Sequence, residues 1–360
     1  MNGNPFSWHR LRDSQLFWPL LALLLIMLFN LLFTPGFFDI EIREGHLSGF
    51  LIDIVNRGSP LMLLAIGMTM VIATGGVDLS VGAVIAISAA TATVLINPAL
   101  ARQLISSEEL IRDVTYTPLW LLILAALAIS TLCGVWNGLL VSRANIQPMV
   151  ATLVLMVAGR GIAQLISNGQ IITVYYSPYF YIGNGYLLGL PFTAFIVALV
   201  FIFAWLLTRR TAIGLFVESV GINDRSSLLS GISSKNIKLL AYSFCGFCAG
   251  VAGLIYSSNV KSADANNAGL NYELDAILAV VIGGTLMSGG RFSLAASIIG
   301  ALVIQATTTT MYAVGVPAMA AQAIKALVVL IVILLYSKQT RGALSKIFER
   351  RTISEKTGAR

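Results

Sequence analysis

Apolar runs of membrane-crossing length follow one another through most of this chain, and the longest polar stretch that interrupts them is 209–238. Breakers and polar clusters divide the runs into ten, at roughly 17–34, 60–74, 80–96, 118–142, 148–167, 190–208, 239–258, 275–287, 293–312 and 317–336. A helix perpendicular to the bilayer needs about 20 apolar residues to cross it. The runs 60–74, 80–96 and 275–287 fall short of that. They either extend past these limits or are broken helices packed inside the protein, away from lipid. Charged residues make up 11% of the chain, against about 25% in a soluble domain. So little charge cannot cover a water-facing surface of this size, so most of the surface faces lipid or other apolar surface. The expected fold is an all-α polytopic membrane protein with about ten transmembrane helices. It has one domain at 17–336, tails at 1–16 and 337–360, and no soluble domain.

Charge orients it. With ten spans both termini share one side, and 16 of the 23 basic residues fall on that side. Basic residues mark the cytoplasm, so both ends are expected there. The net charge of +7 does not point to nucleic acid, because the basic residues flank spans and form no stripe. Arg10 and Arg12 precede the first run, but that run outlasts a signal-peptide core. Phe33-Thr-Pro-Gly also lacks a small-x-small cleavage site. A retained first span is expected.

The residues exclude most chemistry. His9 and His46 are the two histidines, and both lie outside the runs. No zinc-protease, hydrolase-elbow or phosphate-loop motif occurs, so the chain is expected to hold no cofactor or metal and to need an energy source from elsewhere. Cys245 and Cys248 fall on one face of an apolar helix, where they read as packing residues. Gly134-x-x-x-Gly138 and Gly246-x-x-x-Gly250 suit close helix packing in membranes.

Polar residues among the spans are the candidates for a substrate path. Thr74-Gly-Gly-Val-Asp78-Leu-Ser80 reads as a capped turn or as broken backbone lining a cavity. Ser288-Gly-Gly-Arg-Phe-Ser293 echoes it with one gap, a weak internal repeat. On the outer side, Lys261–Asp275 is acidic and rich in amides; Asn266 and Asn267 suit sugar hydroxyls if the loop is more than solvated connection. Tyr175, Tyr176, Tyr179, Phe180 and Tyr181 read as an interfacial aromatic belt. Arg160 and Lys325 are charges inside spans, each costing about 2.5–3.5 kcal/mol if left to lipid. Gln164 shares a helix face with Arg160, and Gln322 shares one with Lys325. The two cations snorkel, line the path, or pair with Asp275 or Glu273. Gln305 adds polarity to the ninth run.

The polar stretch 209–238 is basic and flanked by apolar runs. A hydrophobic protein keeps such a loop on its cytoplasmic side when something soluble docks there. Its sequence Gly221-Ile-Asn-Asp-Arg-Ser-Ser-Leu-Leu-Ser-Gly-Ile232 reads as a short helix between two glycine ends, with Leu228, Leu229 and Ile232 as an apolar face. A bulky charge at Ser227 is expected to break docking and alanine to be silent.

Four stretches together carry a resemblance: Leu64–Ala83, Pro148-Met-Val-Ala-Thr-Leu, Val220-Gly-Ile-Asn and Glu273–Gly284. They resemble the ribose/branched-chain amino-acid permease family of ABC importers, over roughly residues 50–336. Ser262–Leu270 is further similar to galactofuranose-importer permeases of enteric bacteria. The resemblance implies a type II-like importer fold in the bacterial inner membrane and a sugar such as galactofuranose as substrate. It implies a separate ATPase subunit carrying ATP and magnesium, a periplasmic sugar-binding protein, and a second permease, identical or paralogous. It places the ATPase contact at Glu218, Gly221, Asn223, Ser226, Ser227, Leu228, Leu229, Gly231 and Ile232. Ser226-Ser227 stand where the family usually has alanines; serine is small enough to keep the packing. Two alternatives remain at this point. One is an amino-acid permease, with Arg160 serving a carboxylate. The other is an ion-coupled transporter, which the scarcity of intramembrane carboxylates disfavours.

Overall fold

The computed structural model describes residues 15–43, 45–96, 116–317, 320, 322–327 and 330. The tail 337–360, and the tail 1–16 apart from its last two residues, lie outside the described residues, as does most of the tenth run.

The described chain is mostly helical. In order come α1 (Phe17–Phe33), α2 (Phe50–Ala73), α3 (Val81–Ile96), α4 (Leu119–Ser142), α5 (Pro148–Ile166) and α6 (Ser177–Asn184). Then follow α7 (Phe192–Arg209), α8 (Ile213–Ile222), α9 (Asp224–Leu229), α10 (Ser234–Val260), α11 (Tyr272–Ile282) and α12 (Leu294–Ala313). Residues 322–327 are also helical. Among the described residues, α2, α4, α5, α7, α10 and α12 are long and apolar enough to cross a membrane.

The three short runs resolve in both of the ways expected. The first of them belongs to α2, which begins ten residues earlier, at Phe50, and runs through Pro60. Its polar first turns, with Asp53, Asn56 and Arg57, hide its length from a hydropathy reading. The other two are short helices. Helix α3, at 16 residues, is only about 24 Å long, less than the roughly 30 Å of a hydrocarbon core. It is buried on every face, which its alanines, glycine and small hydroxyl residues permit. Helix α11 has 11 residues and gives way to a glycine-rich turn.

Helix α10 is the centre, packing against α2, α3, α4 and α6. Helices α2 and α12 pack together, α3 lies between α4 and α5, and α1 closes against α12. Small residues set these approaches. A Cβ on Gly246 would lie 2.6 Å from the carbonyl oxygen of Ser130 and 2.8 Å from the Cα of Gly134. One on Gly253 would meet Ser88 Cβ at 2.6 Å. The two G-x-x-x-G patterns therefore face one another across the α4–α10 crossing, where backbone meets backbone. Cys245 and Cys248 are buried beside Gly67 of α2, as packing residues. Hydroxyls and amides tie the remaining helices: Asn30 Nδ2 donates to Thr310 Oγ1 at 2.7 Å, and Thr69 Oγ1 lies 2.7 Å from Ser297 Oγ.

Short connections at one end carry three two-stranded pairs. β1 (Glu41–Arg43) pairs with β2 (His46–Ser48), β3 (Ile172–Thr173) with β6 (Ser262–Ala263), and β4 (Tyr186–Leu187) with β5 (Leu190–Pro191), all antiparallel. His46 stacks on Tyr186 at 3.8 Å. The aromatic loop is a helix in its own right, α6, lying on α10. Tyr179 is fully buried there, with its hydroxyl 2.6 Å from Ser257 Oγ. That is not belt geometry. Tyr175 and Tyr181 do remain exposed.

Candidate functional site

The polar stretch 209–238 folds into α8, α9 and the start of α10. Helix α9 is short but capped at both ends. Asn223 is extended, and its Oδ1 accepts from Ser226 N at 3.0 Å. At the other end Gly231, with φ +83°, donates to Leu228 O, and Ile232 N donates to Ser227 O. This is a Schellman closure, which needs a left-handed residue where the glycine stands. Asn223 and Gly231 thus bracket the helix. Gly221 does not start it, being already inside α8.

An ion pair fixes the orientation of α9. Lys238 Nζ of α10 lies 2.7 Å from Asp224 Oδ2, and Ser234 Oγ donates to Asp224 O at 3.3 Å. Partial burial pushes the Asp224 carboxyl up, but the hydrogen bonds and charge of Lys238, with Ser234, outweigh it and hold the group below its ordinary value. This arrangement leaves Leu228 at 64% and Leu229 at 90% exposure, and Ile232 half-buried. Two leucines open to water on a rigid, doubly capped helix are a ready contact for another protein. Ser226 is exposed and Glu218 half-buried. Ser227 behaves differently from the expectation. It is 5% exposed, and its Oγ donates to Asn223 O at 2.9 Å. The side chain points into the protein itself, so a bulky charge there disturbs α9 before it reaches any partner.

The two glycine clusters, 74–80 and 288–293, meet in space beside α8. Gly290 N donates to Ala73 O at 2.9 Å. A Cβ on Gly289 would lie 2.9 Å from Gly75 N. Asp78, 1% exposed, lies just before α3. Its Oδ1 accepts from Ser80 N at 2.9 Å, Ser80 Oγ at 2.6 Å and Asn137 Nδ2 at 3.3 Å. A buried carboxylate requires such donors. Asn137 also donates to Ser80 Oγ at 2.8 Å, and Tyr242 OH donates to Val77 O at 3.2 Å. Asp78 therefore builds the turn that starts α3. Sequence reasoning missed Asn137, which bonds Asp78, and Tyr242, which bonds Val77 of the same turn; the available signal was an amide inside the largely apolar α4.

The cluster at the opposite end has Arg160 at its centre. Its Nη1 donates to the carbonyl oxygens of Ala268, of Ala265 at 3.3 Å and of Asn266 at 3.5 Å. Gln164 Nε2 donates to Asn266 Oδ1 at 2.5 Å. Asn267 Nδ2 donates to Asp264 Oδ2 at 2.6 Å. Arg160 and Gln164 thus hold the loop between α10 and α11 in shape, while Asn266 and Asn267 stay exposed on it. Buried Glu273 lies behind, against Gly82 of α3. Lys325 pairs with Asp275 at 2.7 Å, one of the partners expected for it. Gln305 is half-buried against Gly58 of α2, and Gln322 is exposed. The structure gathers Arg160, Gln164, Asn266 and Asn267 in one place and Asp275 with Lys325 in another. It sets Asp78 apart from both.

The relatives agree in kind. The chain is 47% identical over 327 residues to the galactofuranose transporter permease protein of Escherichia coli K12, covering 89% of this chain and 91% of that one. It is 34% identical over 363 residues to a fructose import permease protein of Bifidobacterium longum, covering 99% and 97%. It is 32% identical over 324 residues to the ribose import permease protein of Escherichia coli K12, covering 89% and 93%. No solved structure matches the chain. The family model for the permease component of branched-chain amino acid transport systems matches residues 50–336, nearly the whole helical domain, and this chain belongs to that family.

Proposed function

We propose that this protein is the transmembrane permease subunit of an ATP-driven ABC importer for a sugar, galactofuranose or a related monosaccharide. The observation that carries the substrate is the 47% identity over 89% of the chain to a galactofuranose transporter permease. The permease works as one of two, identical or paralogous, in the bacterial inner membrane, with a type II-like arrangement of ten spans and both termini cytoplasmic. A periplasmic binding protein delivers the sugar at the end bearing Asn266 and Asn267. An ATPase subunit, which carries ATP and magnesium, docks on α9 through Leu228 and Leu229. Its closure on ATP pulls α8 and α9 and rocks the bundle between outward and inward states. The chain itself is not an enzyme.

The geometry favours a loop-holding role for Arg160 over a carboxylate site of the kind an amino-acid substrate would need, because its Nη1 already donates to carbonyl oxygens of the loop between α10 and α11. The deciding experiment reconstitutes the chain with its ATPase and binding-protein partners and measures ATP hydrolysis against a panel of monosaccharides. Stimulation by galactofuranose is expected. Stimulation by leucine and not by any sugar would overturn the reading.

A further inference from the structure

Gly221 is a glycine for a reason unrelated to helix capping. It lies in the last turn of α8, and what faces its Cα is backbone. A Cβ there would collide with the carbonyl oxygen of Ala73, the last residue of α2, and with the amide nitrogen of Gly290. That same carbonyl accepts the hydrogen bond from Gly290 N. Gly289 closes the group: a Cβ on it would lie 2.9 Å from both Gly221 O and Gly75 N. Gly75 opens the turn that leads through Asp78 to α3. Gly289 and Gly290 lead into Ser293, which caps α12. Three backbones therefore meet with no side chain between them.

A side chain interposed between two elements can change rotamer and absorb a displacement, whereas packed backbone cannot. The elements beyond the joint are also tied to one another, α2 to α12 through Thr69 and Ser297 and α3 to α4 through Asp78 and Asn137. We infer that Gly221, Gly75 and Gly289 form a rigid backbone joint that turns movement of the α8–α9 segment into concerted movement of the turns before α3 and α12. The inference rests on reading 209–238 as the coupling segment. It makes Gly221 and Gly289 positioning residues for transport and removes Gly221 from the surface that touches the ATPase.

The test uses the full importer in proteoliposomes, reading ATP hydrolysed per sugar moved. That ratio is insensitive to the amount of folded protein, so a merely destabilised variant does not change it. Gly221→Ala and Gly289→Ala are expected to raise the ratio about tenfold or more, since small misplacements far from a site are costly. Both should keep the ATPase subunit bound through purification. Gly315→Ala is the control. Its φ is +83°, close to the +87° of Gly289, so it bears the same kind of backbone strain, but its Cβ would meet nothing within 4 Å and it lies outside the joint. Its ratio should stay within about twofold of wild type, since strain there costs stability and touches no joint contact. An unchanged ratio in Gly289→Ala overturns the joint, as does an equal rise in Gly315→Ala or loss of the ATPase subunit from Gly289→Ala. Should Gly221→Ala fail to reach the membrane, the Gly289 and Gly315 comparison decides alone. A wild-type complex that hydrolyses ATP without moving any sugar fails at the function itself and takes the joint with it.

Discussion

Lys325 Nζ lies 2.7 Å from Asp275 Oδ2, with the two side chains 20% and 17% exposed, and this contact fastens α11 to the helix that contains residues 322–327. Removing either charge leaves the other poorly solvated. Lys325→Met and Asp275→Asn should each lower the thermal midpoint in detergent, and the double variant should recover part of the loss. The cycle should yield a coupling of about 1–3 kcal/mol. Strict additivity would mean that the pair is solvated and contributes nothing.

Docking and folding separate at residues two positions apart. Leu229→Glu should leave the thermal midpoint of the isolated permease unchanged, because that side chain is open to water. It should abolish co-purification with the ATPase subunit. Ser227→Arg should lower the midpoint of the isolated permease, because Ser227 is enclosed by its own chain. Co-purification of Leu229→Glu at wild-type yield would remove α9 from the interface.

Sidedness follows from the same surfaces. In a cysteine-free background, a cysteine at Asn267 should react with a membrane-impermeant maleimide in intact spheroplasts. One at Leu229 should react only after permeabilisation, since basic flanks mark the cytoplasm. Both positions are exposed, so burial cannot mask either result. Labelling of both from outside would refute the ten-span arrangement.

Helix contact makes two glycine substitutions differ in sign. Gly246→Ala forces a methyl group against Ser130 O and should cost about 1–3 kcal/mol. Gly161 of α5 has nothing within 4 Å of a Cβ. Gly161→Ala should be neutral or stabilising by up to about 1 kcal/mol, from helix propensity alone. Thermal midpoints of the two variants check the pair.

Acid should loosen the loop between α10 and α11. Burial is the largest single influence and pushes the Asp264 carboxyl up, but hydrogen bonds from Asn267 and Asn266 and the charge of Arg160 together outweigh it and hold the group below its ordinary value of 3.8. A depressed carboxylate stabilises above its unfolded pKa, and that stabilisation is lost as pH falls through the folded one. Protection factors for hydrogen exchange at 261–271, taken relative to the intrinsic rate at each pH, should therefore fall below about pH 4. Asp264→Asn should remove that dependence. An acid response unchanged in the variant would assign it to other groups.

The helical pattern was legible because long apolar runs admit few other folds, and among the described residues helices lie within about five residues of nine of the runs except at the start of α2, six of them of membrane-crossing length. There, polar residues sit in helical turns that hydropathy cannot distinguish from loop. Helix α9 was legible from its turn residues, although Asn223 and not Gly221 begins it, but its facing was not. Whether Ser227 or Leu229 points outward depends on the Asp224–Lys238 pair, fourteen residues apart. Arg160 shows the same limit. Its charge marked it as special, yet whether it serves substrate or loop depends on carbonyl groups more than a hundred residues away. Backbone contacts such as Gly221 with Ala73 leave no trace in side-chain pattern beyond the glycine itself.

The central position of α10 bears on how the protein is made. Helices α2, α3 and α4 are all shaped around it, yet they leave the ribosome before it. Between the last residue of α4 and the first of α10 the chain must extend from 142 to 234, which at about 5–20 residues per second takes roughly 5–20 s. Throughout that interval the glycine-lined grooves at Gly67 and Gly134 have no occupant from this chain. Short α3 is also without its covering. Nascent chains arrested before residue 234 should therefore remain at the insertion machinery or be held by a membrane chaperone, and those that include residue 260 should be released.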